Sequence, residues 1–355
     1  MRRLALLGLL ALALPAAGTA AFPGTNGRLL FTQERQSFER DVPPSADLCV
    51  TTPSGARPTR VATAAVGQAI EDPAVAAAGD AVAYAKTGAI YVAAPDGTGE
   101  RVLALGGGPA WAPDGSRVHY TRQGDLYSVR RDGSDQRQLT SGPRWDQPPA
   151  VSPGGRTIAY VRGPTAATAD ELVLVDASGG NERVLVFGPT MAAPDWAPDG
   201  SRLAFALGSA LGTIRPDGTD YRLLATGGAT NPAWSPDGAL IAFERDGDIW
   251  TVPAAGGETV NVTRSPPVER EPAWQTGTAA RAAGSDRPCA IVGTDASEIL
   301  LGGPYDDVIY DLGGDDVVRV IAVEPRRPRY ETSVSGELLR SLFEDKLDSR
   351  EPEAA

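Results

Sequence analysis

Along most of the chain, apolar and polar residues alternate in short runs, and glycine, proline or Asp-Gly breaks each run after a few positions. In "ALIAFERDGDIWTV" (239–252), Ile241 and Phe243 fall on one face of an extended chain and Ala242 on the other, because successive side chains of a strand point to opposite sides. "DIWTV" alternates likewise, and "ETVNVT" supplies a further strand after the "AAGG" turn. Helical spacing is confined to "GELLRSLFEDKL" (336–347), where Leu338, Leu339, Leu342 and Phe343 share one face. The pattern predicts an all-β chain of short strands and tight turns.

The strands come in copies. "PAVAAAGD" begins at Pro73, "PAWAPDG" at Pro109, "PAVSPGG" at Pro149, "PDWAPDG" at Pro194, "PAWSPDG" at Pro232 and a truncated "PAW" at Pro272, with starts 36, 40, 45, 38 and 40 residues apart. That period suits the blades of a propeller. Within a copy, "PAW" opens the first strand and "PDG" is a turn, with proline setting φ and glycine accepting a conformation other residues resist. One four-stranded sheet cannot bury both faces alone, so copies must stack, and radial closure removes most exposed edges. The copy at Pro272 has no continuation, whereas "NGRLLFTQ", "ADLCVTT" and "TRVAT" near the N-terminus are later strands without a first. Joined, they complete a six-bladed β-propeller of four-stranded antiparallel blades, closed by N- and C-terminal strands.

"PAWSPDG", "PAWAPDG" and "DWAPDG", each followed by a short strand and a "DG" or "GG" turn, resemble the WD40-like repeats of TolB-type six-bladed propellers over about residues 26–275. The second and fourth blades depart from the motif with "AAAGD" and "SPGG". The resemblance implies protein partners at the cell envelope.

The chain divides into a leader (1–21), the propeller (22–275), a linker (276–288), a nonapeptide segment (289–321) and a tail (322–355). "GTDASEILL" (293–301), "GGPYDDVIY" (302–310) and "DLGGDDVVR" (311–319) repeat every nine residues, with Glu298, Asp307 and Asp316 in register. They resemble the calcium-binding nonapeptides of RTX, or haemolysin-type, proteins, which implies a small β-roll-like segment and calcium held by Glu298, Asp307, Asp315 and Asp316. Turns stacked on the same side lie two units apart, so Glu298 and Asp316 would share an ion, while Asp307 would need a partner where Cys289 or Pro325 stands. Ala296 and Tyr305 replace turn glycines, which keeps open a decayed module that packs without an ion.

Two arginines, an apolar stretch from Leu4 to Leu14 and small residues up to Ala21 have the order of a secretory signal, too short to span a bilayer. No later segment is long and apolar enough to span one, so a secreted or cell-envelope monomer without stable membrane insertion is expected. Loss of Arg2 and Arg3 takes the net charge from −12 to −14, which opposes a nucleic-acid partner and suits cation binding or simple solubility. Cys49 and Cys289 are a candidate disulfide in an exported chain.

The sequence carries one histidine and no nucleophile elbow, phosphate loop or paired-cysteine metal motif. His119 occupies a slot filled elsewhere by Ala83, Ala159, Ala204 and Ala242, which reads as a packed imidazole. Asp114, Asp199 and Asp237 of the "PDG" turns cap their own backbone. Asp72, Asn231 and Glu271 directly precede inner strands, where loops converge on the channel mouth, and Arg144, Trp145 and Asp146 stand on another such loop. These six are the candidate partner-binding residues. A non-catalytic binding module for a protein or envelope polymer is the leading reading. The alternatives are a lactonase-like propeller hydrolase with a metal in the axial channel, which needs several inward carboxylates, and a calcium-dependent adhesion or matrix protein.

Overall fold

The structure, a computed structural model, describes residues 24–35, 45–54, 58–65, 68–264 and 267–277, together with residue 289 and the strands at 291–292, 299–302, 309–310, 317–321 and 331–335. No helix occurs among the described residues. Six small antiparallel sheets make the ring, each running from an inner strand at the axis to an outer strand at the rim. The second blade, for example, runs Ile70–Val75, Val82–Lys86, Ala89–Ala93 and Arg101–Leu105.

The first blade is made from both ends of the ring. Glu269–Thr276 is its inner strand and pairs antiparallel with Asn26–Arg35, Leu29 facing Trp274 and Gln33 facing Glu269. Ser45–Thr51 and Thr59–Ala62 complete it. The seam is reinforced by side chains: Gln33 donates to Glu269 at 3.0 Å, Arg270 pairs with Glu34 at 3.0 Å, and Asn26 donates to Asp237 at 3.0 Å.

The core lies between blades. Ala204, Leu211 and Ala225 of the fifth blade pack against Trp234, Ile241, Phe243 and Val252 of the sixth. Burying a side chain such as Phe243 contributes roughly 2 kcal/mol. The turns that depart from "PDG" in sequence close the same way as those that keep it: Ala76 donates to Ala81, Ser152 to Thr157 and Ala112 to Arg117. Gly79, Gly155 and Gly115 take the same left-handed φ of 67–68°. The shared requirement is that glycine, while Asp114, Asp199 and Asp237 add a carboxylate that accepts the N–H two residues on.

The fourth blade differs. Trp145–Asp146 and Ala150–Val151 are two fragments of one inner strand, interrupted by "QPP" (147–149). Two successive prolines offer no N–H to the ladder, so pairing breaks there. Trp145 and Asp146 therefore stand in a strand, facing Gly163 and Arg162, and not in a loop.

Cys49 and Cys289 are joined, with Cα atoms 6.0 Å apart. Residue 289 is held further by its N–H on Pro58 and its carbonyl on buried Arg60, at 3.2 and 2.8 Å. Beyond it, Ile291–Val292 pairs in parallel with Ile309–Tyr310, and Ile299–Gly302 with Val317–Ile321, both offset by two nine-residue units. Glu298, Asp307, Asp315 and Asp316, the leader and the helix expected over 336–347 lie outside the described residues.

Candidate functional site

The wall of the axial channel repeats one tripeptide. Pro73-Ala74-Val75, Pro109-Ala110-Trp111, Pro149-Ala150-Val151, Pro194-Asp195-Trp196, Pro232-Ala233-Trp234 and Pro272-Ala273-Trp274 enclose a cavity of about 190 Å³. Six inner strands crowd one axis, and alanine leaves room for them. Tryptophan spans to the next blade: the indole N–H of Trp111 donates to the Ala74 carbonyl at 3.1 Å, Trp196 to Ala150 at 3.2 Å and Trp274 to Ala233 at 3.0 Å. Asp195 is the single carboxylate in this wall. Its Oδ2 accepts the backbone N–H of Trp234 at 2.7 Å, and burial pushes its carboxyl up to about 7. His119 faces Ala110 from the second strand, buried, and its burial and Arg117 lower it to about 4, so it is neutral at pH 7.

One residue earlier, the pattern changes from uniform to varied. Every unbroken inner strand carries a β-bulge before its proline, where the register shifts. The bulged residues are Asp72, Gly108, Ala193, Asn231 and Glu271, all left-handed, with φ of 51°, 59°, 38°, 47° and 55°. Pro148, whose ring forbids positive φ, takes that place in the fourth blade. These six positions ring one mouth of the channel, around a cavity of about 130 Å³. Of the six residues singled out from sequence, the structure thus brings Asp72, Asn231 and Glu271 together. Trp145 and Asp146 line a neighbouring cavity, and Arg144 lines neither, its guanidinium pairing with Asp170.

The mouth is asymmetric. Glu244 Oε1 accepts the Glu271 N–H and the Asn231 side-chain N–H, both at 2.5 Å, and Glu271 Oε2 accepts the Asp72 N–H at 2.7 Å. Asp72 in turn accepts the backbone N–H of Gly108. Each carboxylate thus caps the N–H that the bulge of the next blade leaves free. The relay ends at Pro148, which has no N–H to cap. Burial, then the Asp72 charge, pushes the Glu271 carboxyl up to about 8, and burial, then Glu71, pushes Asp72 up to about 6. Burial raises Glu244 as well. Glu244 was not singled out from sequence, although its slot holds Ala85, Thr121, Val161 and Ala206 in the other copies, and a glutamate among them is a legible signal.

No protein-family model and no curated protein matches the sequence, whereas many solved structures match the coordinates. A TolB from Acinetobacter baumannii shares 18% identity, over 72% of this chain and 68% of its own, at a TM-score of 0.58. The fold is that of a TolB-like six-bladed propeller. A chain of a nidogen/laminin complex superposes at a TM-score of 0.58 with 12% identity, over 70% of this chain and 98% of its own. A hydrazine synthase chain from Kuenenia stuttgartiensis does so at 0.54 with 13%, over 76% of this chain and 50% of its own. Identities this low establish the shared propeller alone, and the three names differ in kind, so function has to be argued from the mouth and wall of this propeller.

Proposed function

We propose that the protein is an exported, non-catalytic binding propeller of the cell envelope that captures a cationic group of a protein or envelope polymer at the acidic half of its channel mouth. The observation that carries this reading is the gathering of Asp72, Glu271 and Glu244 on one side of a rigid ring, above a wall whose single carboxylate is Asp195. A cationic side chain or amine entering there would exchange the proton held by the raised carboxyls for its own charge, so capture strengthens as pH rises.

A metal-dependent hydrolase would need several inward carboxylates. The wall supplies one, and among the described residues no group of three His, Cys, Asp or Glu side chains is arranged to hold an ion. That donor set does not fit a channel metal. The names TolB and nidogen/laminin complex support a binding role, and the apolar leader supports export. The two-unit offset between parallel strands after Cys289 supports calcium in the nonapeptide segment.

Calorimetric titration of the full mature chain with tetralysine at low salt tests the mouth. Saturable binding that tightens from pH 6 to pH 9 and is lost in Asp72→Asn/Glu271→Gln, but kept in Asp132→Asn/Asp217→Asn on exposed turns, supports the reading. Binding that both double variants weaken alike would reduce it to net charge.

A further inference from the structure

A cavity beside the mouth exceeds the mouth in volume. A pocket of about 530 Å³ opens between the second, third and fourth blades, next to the mouth, with Pro148 common to both. That size falls within the roughly 300–1,000 Å³ of small-molecule sites. Its floor is glycine: Gly88, Gly106, Gly107 and Gly124 line it, and a Cβ on Gly88 or Gly107 would meet nothing within 4 Å. Its wall is Trp145, which is 42% exposed. The six-membered ring of Trp145 sits directly on Gly124, where an added Cβ would come within 2.8 Å of it. Only glycine permits that seat, and the backbone beneath holds the indole as a fixed plate.

Around the plate stand four polar groups without a hydrogen-bond partner among the described residues: the Trp145 indole N–H, the Arg122 guanidinium, the Gln123 amide and the Glu71 carboxylate. Arg122 rests near the Tyr127 ring, 6.0 Å from its centroid, which steadies it. The set mixes donors and acceptors, as a ligand with several hydroxyls requires, each hydroxyl both giving and taking a hydrogen bond. A flat aromatic face with polar groups at its rim matches a pyranose, which presents a face of C–H bonds and a rim of hydroxyls. Leu105, Ala85, Pro148 and Ala166 add apolar surface to the lining, which suits the C–H face of a sugar ring and makes an apolar peptide the competing occupant that the test has to separate. The chain's net charge of −12 disfavours a polyanionic sugar.

We infer that this pocket is a carbohydrate subsite, with a neutral pyranose ring stacked on Trp145 and its hydroxyls held by Arg122, Gln123 and Glu71. The inference does not depend on cation capture at the mouth.

The test follows the Trp145 indole N–H resonance of the full chain by ¹⁵N–¹H NMR during titration with two neutral probes, N-acetylglucosamine tetramer and cellotetraose. At least one should shift that resonance saturably, and Trp145→Ala, which lacks the indole and is therefore followed by calorimetric titration with the same probe, should weaken binding about tenfold, the scale expected for loss of one stacking contact. Arg122→Ala, which removes no core contact, should weaken it several-fold, while Asp72→Asn/Glu271→Gln should leave it unchanged, which separates this site from the mouth. The inference is overturned if neither probe moves the resonance up to about 10 mM. It is equally overturned if Arg122→Ala and Trp145→Ala, both folded by their melting curves, bind as the parent does, or if a polyproline peptide moves the resonance and the sugars do not.

Discussion

The two halves of the ring are built from the same repeat and have diverged in opposite directions. Around the seam, in the sixth, first and second blades, the mouth carries Asn231, Glu271 and Asp72, and Glu244 stands behind them. Across the axis, in the third, fourth and fifth blades, the same positions hold Gly108, Pro148 and Ala193. The seam half must join strands that are distant in sequence, and it has the Cys49–Cys289 bond, the buried Arg60–Asp47 pair and the carboxylate caps. The far half is continuous chain with no closure to make, and the open pocket beside Trp145 lies where its third and fourth blades meet the second. The contrast shows where a repeat is constrained and where it is free: backbone crowding holds the alanines of the wall, while the bulged residue one step earlier lines the mouth and varies.

Removing the seam's anchor should have the largest effect. Trp274→Ala deletes an indole that packs on Leu29, Cys49 and Ile249 and donates to Ala233, and should cost about 3–5 kcal/mol. Trp111→Ala on the far half should cost a similar amount in thermal denaturation. Only Trp274→Ala should speed amide exchange across 26–35 and 269–276, and equal exchange in both variants would erase the distinction between seam and far side. Next, Cys49→Ser/Cys289→Ser should lower stability by about 2–4 kcal/mol in denaturant titration. A loss near zero would mean that the strand pairing alone holds the ends.

A smaller effect tests the carboxylates. The folded-state pKa of Glu271 lies above its unfolded value, so the folded chain binds more protons between about pH 4 and 8, and its stability is full below that window and falls as pH rises through it. Glu271→Gln keeps an acceptor for the Asp72 N–H and removes the charge. It should raise the melting temperature at pH 9, by a stabilisation on the order of 1 kcal/mol, and leave it unchanged at pH 4. The smallest effect belongs to the far half: Ala193, at φ 38°, is strained, and Ala193→Gly should stabilise by about 0.5–1 kcal/mol.

The architecture was legible in the sequence because its causes are local. Pro-Ala-Trp and the turn glycine recur at blade spacing, and the orphan "EPAW" at one end with three leaderless strands at the other implied the closing blade. The mouth was legible in part. Asp72, Asn231 and Glu271 stand one residue before an inner-strand proline, a position sequence can count. Glu244 reaches the same place from a second strand, and only the cross-strand pairing of Thr230 with Glu244 brings it there. Arg144 does not line the mouth, and a repeat count does not show that Pro148 and Pro149 split the inner strand that follows it. The pocket under Trp145 could not be read at all, since it needs Gly124 of one blade beneath an indole of the next.

The central claim is that two carboxyls of the seam half, Asp72 and Glu271, are held together at the mouth with raised proton affinity. Carboxyl ¹³C chemical shifts of the two side chains, followed from pH 3 to 10 in the full chain, test it most directly. The account predicts that the pair loses its protons in separate steps near pH 6 and 8. Two independent titrations near pH 4 would contradict it.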